Sequence, residues 1–197
     1  IIMKIVIAGG GLTGLSAALD LVEHEVIIVD MKQELGTPCN SPGWIENLSL
    51  IPSKLGYKNN CFRRGWLEKN MAIMATQQGV DIKLKTRIIG FEDGLITSFG
   101  KISGDIYIDA LGEKSPTNLV LTNIDMLRPL SRELIQWYGG ISIGSQKWTR
   151  DDGTGEVWWT ENEPKENWLE LMQGKHPQKL GADAAIIRGK ELASQVK

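Results

Sequence analysis

The chain has 197 residues, 42% of them hydrophobic, and a formal charge of −2. This length suits one large domain, or a nucleotide-sized domain with a small appendage, and the apolar content is enough for a core. The near-neutral balance without a Lys/Arg-rich block argues against a nucleic-acid partner, no apolar stretch reaches membrane-span length, and Cys39 and Cys61 make neither a disulfide framework nor a metal spacing.

The first predicted element is a strand. Met3-Lys4-Ile5-Val6-Ile7-Ala8 is apolar and β-branched, and it stops at Gly9-Gly10-Gly11. A helix follows from Leu12 to about Leu21, and a second strand, Val26-Ile27-Ile28-Val29, ends in Asp30. This is a βαβ unit with the dinucleotide-binding fingerprint. Gly9 permits a tight turn out of the strand. Gly11 has no side chain, so a pyrophosphate can approach the backbone. Gly14 lets the helix pack closely on the strands. Leu12 and Thr13 open that helix, whose free N–H groups and dipole favour a diphosphate. Asp30 lies at the distance from Gly9 expected for an acid that binds a ribose hydroxyl, and it would repel a 2′-phosphate, which disfavours NADP here. The first apolar run feeds the glycine turn, so no signal peptide is expected, and a reducing cytoplasm is the default location.

Residues 31–43 are rich in Gly, Pro, Asn and Ser and form a loop that starts beside the ribose acid, at Met31 and Lys32, and runs along the cofactor. Residues 44–55 fit a short helix or an extended segment. Residues 64–78 are the second helix, with Trp66, Leu67, Met71, Met74 and Ala75 at three- and four-residue steps and Gly79 as C-cap. Strands are expected at 80–84 and 88–91, and turns at 92–94 and 99–100 bracket Leu95-Ile96-Thr97. Residues 105–109 form a strand that leads into Ala110-Leu111-Gly112. Five of the seven tryptophans then fall between Trp137 and Trp168. Residues 141–148 and 156–160 are expected as strands around a turn at 151–155, and residues 164–172 and 182–196 as helices. The expected division is a nucleotide-binding domain over 1–118, a Trp-rich cap over 119–175 and a C-terminal helix within 176–197 that returns to the nucleotide domain. A loose boundary falls at 115–122. The fold class is α/β, a Rossmann-like FAD/NAD(P)-binding domain with a parallel sheet and a hairpin-containing appendage.

Three stretches together resemble the FAD-binding part of the geranylgeranyl reductase family, within the wider para-hydroxybenzoate hydroxylase-like flavoproteins. They are the unit from Gly9 to Asp30, the stretch Arg64-Gly65-Trp66-Leu67-Glu68 continuing to Gly79-Val80-Asp81-Ile82, and Asp105-Ile106-Tyr107-Ile108-Asp109-Ala110-Leu111-Gly112-Glu113-Lys114-Ser115-Pro116. The resemblance covers about residues 3–118. It implies FAD rather than NAD, held by Gly9, Gly11, Leu12, Thr13, Gly14, Asp30, Met31 and Lys32 at the ADP half. It implies that Arg64 lies near the pyrophosphate or ribityl chain, that Ile88 meets the adenine through its backbone and that Gly112 packs on the cofactor. Residues 38–42, with Cys39, would approach the isoalloxazine. Two departures stand out: the family's late Gly-Asp motif is matched only by Gly181-Ala182-Asp183, with Ala182 inserted, and Leu111 replaces a small residue.

The implied activity is that of an FAD-dependent oxidoreductase on an apolar or aromatic small molecule, with NAD(P)H as a candidate reductant. Reduction of an unsaturated substrate and activation of oxygen both fit. A binding module that holds FAD or NAD as a sensor or subunit is the alternative from another class, and an NAD-dependent dehydrogenase is a third. A homo-oligomer or a partner chain could complete the site. Several residues keep two roles open. Cys39 is a redox thiol or inert, Arg64 a cofactor contact or a solvated helix start, and Asp183 a flavin contact or a helix cap. The tryptophans line a substrate pocket or form core. No Ser/His/Asp arrangement and no metal site emerges from the spacing.

Overall fold

The computed structural model describes residues 1–112, 126–128, 133–145 and 147–196. In chain order the elements are β1 (Lys4–Ala8), α1 (Leu12–Leu19), β2 (Glu25–Val29), α2 (Arg64–Gln77), β3 (Asp81–Lys83), β4 (Ile88–Phe91), β5 (Leu95–Thr97), β6 (Gly100–Ile102), β7 (Ile106–Asp109), β8 (Met126–Leu127), β9 (Ile135–Ile143), β10 (Thr154–Trp159), β11 (Trp168–His176) and α3 (Asp183–Ser194). The chain divides into two compact units. One comprises Ile1–Thr37, Glu68–Leu130 and Ala185–Lys197, the other Pro38–Leu67 and Ser131–Ala184. The expected division keeps residues 38–67 with the nucleotide domain, whereas their contacts assign them to the second unit. The loose boundary at 115–122 lies outside the described residues.

The first unit is built on a five-stranded parallel sheet in the order β3-β2-β1-β7-β8. Its strands are short and rich in Ile and Val because both faces are covered. On one face Val6, Ala8, Ile27, Val29 and Tyr107 form a core with Phe91 and Leu95 of the antiparallel β4-β5-β6 sheet. On the other face Gly14 of α1 lies against Ile7, so the alternation along β1 sets both layers. The strand order reverses at β1, between β2 and β7. In open α/β sheets the crevice at that point, beyond the strands' carboxyl ends, is where ligands bind.

The final helix packs on α1. Thr13 Oγ1 donates to the Ala185 carbonyl, and Lys190 pairs with Asp20. Gly189 makes the approach possible, since a Cβ there would collide with the Thr13 carbonyl and the Ser16 side chain. Gly189→Val should therefore cost about 1–3 kcal/mol through overpacking. A urea-unfolding midpoint equal to that of the unsubstituted protein would show that the helix contact carries no stability.

The second unit holds a three-stranded antiparallel sheet, order β10-β9-β11. Here two expectations need correction. Residues 164–172 are not a helix, because β11 pairs with β9 from Trp168 to His176, with a bulge between Trp168 and Glu170. The i, i+3, i+4 pattern of Trp168, Leu171 and Met172 mimics a helix, but the ladder to β9 overrides it. The strand expected at 141–148 instead runs Ile135–Ile143, and Trp148 has a left-handed backbone (φ 48°), which no strand tolerates. Gly139 and Gly140 look like a strand break, yet they are the packing sites of Trp158 and Trp168 in mid-strand. Of the two alternatives for residues 44–55, the structure shows short helix: two 3-10 turns, Leu48–Leu50 and Ser53–Leu55.

Candidate dinucleotide-binding site

In the first unit the glycine turn follows β1 directly. Gly9 has φ 106°, and a Cβ there would stand 2.5 Å from the Ala110 carbonyl oxygen just after β7. A Cβ on Gly14 would strike the Gly9 carbonyl, so the turn closes only with glycine at both positions. Gly11 differs, for it is the N-cap of α1, makes no side-chain cap and has no atom within 4 Å of its missing Cβ. The first turn of α1 carries no acid. The helix thus presents N–H groups and its positive end without a side chain to occupy them, the arrangement that favours a phosphate. Leu12 is buried in the core beneath this turn, so only its backbone is available.

Asp30 directly follows β2 in a buried position. Its Oδ2 accepts the Gly10 N–H at 2.7 Å and its Oδ1 accepts the Lys32 N–H at 2.8 Å. The carboxylate therefore fixes the glycine turn as well as the loop behind it. Each oxygen has a further lone pair for a ribose hydroxyl. Met31 is 59% exposed, and Lys32 is half-buried. The loop after β3 closes on the same corner, with the Thr86 N–H donating to the Asp30 carbonyl and the Lys85 N–H to that of Lys32. Ile88 opens β4 opposite Thr97, and Gly112, with φ 66°, follows β7. The turn, Asp30 and the end of β7 thus converge at the switch point, while Ile88 belongs to the covering sheet.

The second unit holds Cys39, Arg64 and Asp183, each in a backbone-binding or local role. Cys39 is half-buried, with its thiol turned to the Ser41 carbonyl. Arg64 is buried and donates to the Pro42 carbonyl at 3.2 Å, so it is not a solvated helix start. Asp183 heads α3, but its two oxygens accept the N–H groups of Glu46 and Asn47, both at 2.8 Å. It ties down the 46–47 backbone rather than capping its own helix.

Sequence reasoning missed the most heavily buried polar cluster. Arg150 and Glu156 form an ion pair with almost no solvent contact. Glu156 Oε1 also accepts the Gly43 N–H at 2.8 Å and the Trp158 indole N–H at 2.7 Å. Burial raises the Glu156 carboxyl pKa, opposed by the Arg150 charge. A signal was present: opposite charges six residues apart on the arms of an Asp-Asp-Gly turn. Cys61 packs beside this cluster, and burial pushes its thiol pKa up to about 11, so it remains a thiol at neutral pH. The surrounding tryptophans are core: Trp44 and Trp158 are buried with Cys61, Trp137 and Trp148 pack against them, and Trp44 stacks on Trp148 at 4.9 Å. Among the described residues, no group of His, Cys, Asp and Glu could hold a metal, and no helix is long and apolar enough to cross a membrane.

No protein-family model matches the chain, and no curated protein matches it in sequence. Solved structures do match its fold. A geranylgeranyl bacteriochlorophyll reductase-like protein from Thermoplasma acidophilum superposes with a TM-score of 0.68 at 14% identity, over 98% of this chain and 77% of that one. A glycine oxidase from Bacillus cereus gives 0.65 at 14% identity, over 98% of this chain and 94% of that one. CtdE, solved in complex with FAD, gives 0.52 at 14% identity, over 73% of this chain and 46% of that one. At these identities the likeness is one of fold. It is the Rossmann-like fold that the sequence resemblance implies.

Proposed function

We propose that the chain is an FAD-dependent oxidoreductase acting on an apolar or aromatic small molecule. The observation that carries this reading is the open N-terminus of α1. Gly11 leaves the space before its N–H groups empty, and an acid tied to the same turn stands beside it. Gly9, Gly11, Leu12, Thr13 and Gly14 would hold the pyrophosphate, the first two by permitting the turn and the approach, the others through backbone N–H groups and close packing. Asp30, Met31 and Lys32 would hold the adenosine ribose, with Ile88 against the adenine and Gly112 packed on the cofactor. The resemblance assigns Arg64, Cys39 and Asp183 to the ribityl and ring half. FAD rather than NAD is supported by the three-stretch resemblance and by the FAD complex among the fold relatives.

When bound, the flavin would supply hydride acceptance and donation; the protein supplies binding, orientation and exclusion of water. NAD(P)H is the proposed reductant. The direct test is the visible spectrum of the purified protein and an FAD titration of the apo form: flavin absorbance with one-to-one uptake is expected, and no uptake would refute the reading. A second reading, an FAD-binding module without turnover, is favoured by Trp44, Trp137, Trp148 and Trp158, which pack in the core of the second unit. Reduction of bound flavin by NADH or NADPH separates the two.

Asp30→Ala tests the ribose assignment. Losing a hydrogen bond to a charged group costs about 1.5–3 kcal/mol, so FAD affinity should fall about tenfold to a hundredfold. Part of the loss should also appear as a lower melting temperature, because the buried Gly10 N–H loses its acceptor. An unchanged dissociation constant would show that Asp30 serves the turn alone.

A further inference from the structure

A strand on the rim of a sheet leaves a row of N–H and C=O groups unpaired, and folds shorten or cover such strands. Among the described residues, this chain does so at every rim but one. The outer strands of the five-stranded and hairpin sheets are short: β3 and β6 have 3 residues, β4 has 4 and β8 has 2. The outer side of β10 is covered by the loop before it, where the Arg150 N–H donates to the Thr154 carbonyl and the Glu156 N–H to that of Trp148. β11 is the exception. It has 9 residues and pairs with β9 alone.

The direction of its backbone groups follows from β9. The Ile143 N–H donates to the Asn167 carbonyl, so the odd-numbered residues of β9 turn their N–H and C=O toward β11. Met172 lies opposite Gly139 and Gly174 opposite Trp137, so these two bond inward, and Leu171 and Gln173 direct their N–H and C=O outward. Neither outward pair makes a hydrogen bond among the described residues. Leu171 is 58% exposed. It stands opposite Gly140, on the face where Trp159 stacks with Tyr138 at 6.4 Å and with Trp168 at 5.2 Å. Beyond the bulge the pairing is regular over residues 170–176, and Gln173 is the midpoint of that run. The run starts with the acid Glu170 and ends with Lys175 and His176.

We propose that the outer edge of β11 docks a second copy of this chain, whose own β11 pairs with it antiparallel about a two-fold axis at Gln173. Centring on Gln173 overlaps the whole regular run and sets outward-facing groups against outward-facing groups. It also brings the acidic end of each strand to the basic end of the other, whereas parallel pairing would set acid beside acid. A two-fold axis perpendicular to the sheet keeps the aromatic row and Leu171 on the same face in both copies. The contact is self-complementary and closes at two copies, so it consumes the exposed edge without growing a fibre.

The test is sedimentation equilibrium of the full chain over a range of micromolar concentrations. The wild type should fit a monomer–dimer equilibrium. Gln173→Pro removes an outward N–H and no bond to β9, and proline is tolerated on an edge strand at such a position. This variant should sediment as a monomer with the wild-type circular dichroism spectrum. Leu171→Lys keeps every backbone group and sets a charge on the edge, so its dimer dissociation constant should rise about tenfold or more. A wild type that stays monomeric throughout overturns the proposal, as does a folded Gln173→Pro variant that still dimerises. If the proline variant fails to fold, Leu171→Lys decides: a raised constant supports the β11 edge, and an unchanged one places the dimer contact elsewhere and overturns it.

Discussion

Gly11→Val should abolish FAD uptake and leave the melting temperature of the apo protein nearly unchanged. The expectation follows from what surrounds the missing Cβ. Nothing lies within 4 Å of it, so the fold accepts a side chain there, and Gly11 has φ −74°, a value any residue adopts. The space the valine would fill is the approach to the first N–H groups of α1, where a pyrophosphate needs to come within hydrogen-bond distance. Gly14→Val is the contrasting variant. Its side chain would strike the Gly9 carbonyl, a backbone atom that cannot swing away, so it should unfold the turn at a cost at or above the usual 1–3 kcal/mol of overpacking. Thermal melts and FAD titrations of the two variants check this. Stoichiometric flavin on the Gly11 variant would move the phosphates elsewhere, and a Gly14 variant as stable as the parent would mean that the turn relaxes.

The same contrast explains what could be read from the chain. The βαβ unit is legible because its constraints are local. Three glycines, a β-branched run on each side and an acid at fixed spacing each act within about thirty residues, and Gly9, Gly14 and Asp30 occupy the places that spacing assigns. Helix α3 is legible through its periodicity, while Gly189, which brings it against Thr13 and Ser16, is not marked by any local pattern. The second unit was less legible because its structure depends on partners distant in sequence. β11 is a strand because β9 pairs with it, not because of its own pattern. Gly139 and Gly140 sit inside β9 because Trp158 and Trp168 need the space on either face. Asp183 resembles a helix cap until Glu46 and Asn47, far away in sequence, turn their N–H groups to it. Likewise the opposite charges on the arms of the 151–153 turn do not by themselves mark Glu156 as the buried acid that meets Arg150, Trp158 and Gly43.

That buried acid gives the second large effect. Arg150→Met should destabilise the protein by about 3–5 kcal/mol at neutral pH, the cost of leaving one member of a buried ion pair without its partner. Methionine keeps the length and apolar bulk of the arginine stem, so the loss reports the charge rather than a cavity. The deficit should depend on pH in a definite direction. Burial holds the folded-state pKa of Glu156 above the ordinary carboxylate value of 4.5, and Arg150 pulls it back. Without the guanidinium the folded pKa climbs further. A carboxyl with a raised folded pKa favours the native state only while it is protonated, and that contribution fades as pH rises through the folded pKa. The gap between Arg150→Met and wild type should therefore be smallest near pH 5 and widen toward pH 8. Denaturant melts across that range check it. The double variant Arg150→Met, Glu156→Gln removes the stranded charge while keeping an acceptor for the Gly43 N–H, so it should recover much of the stability and lose the pH dependence. A gap that stays constant with pH would show that removing the guanidinium leaves the folded-state pKa of Glu156 unchanged, and that the arginine serves packing alone.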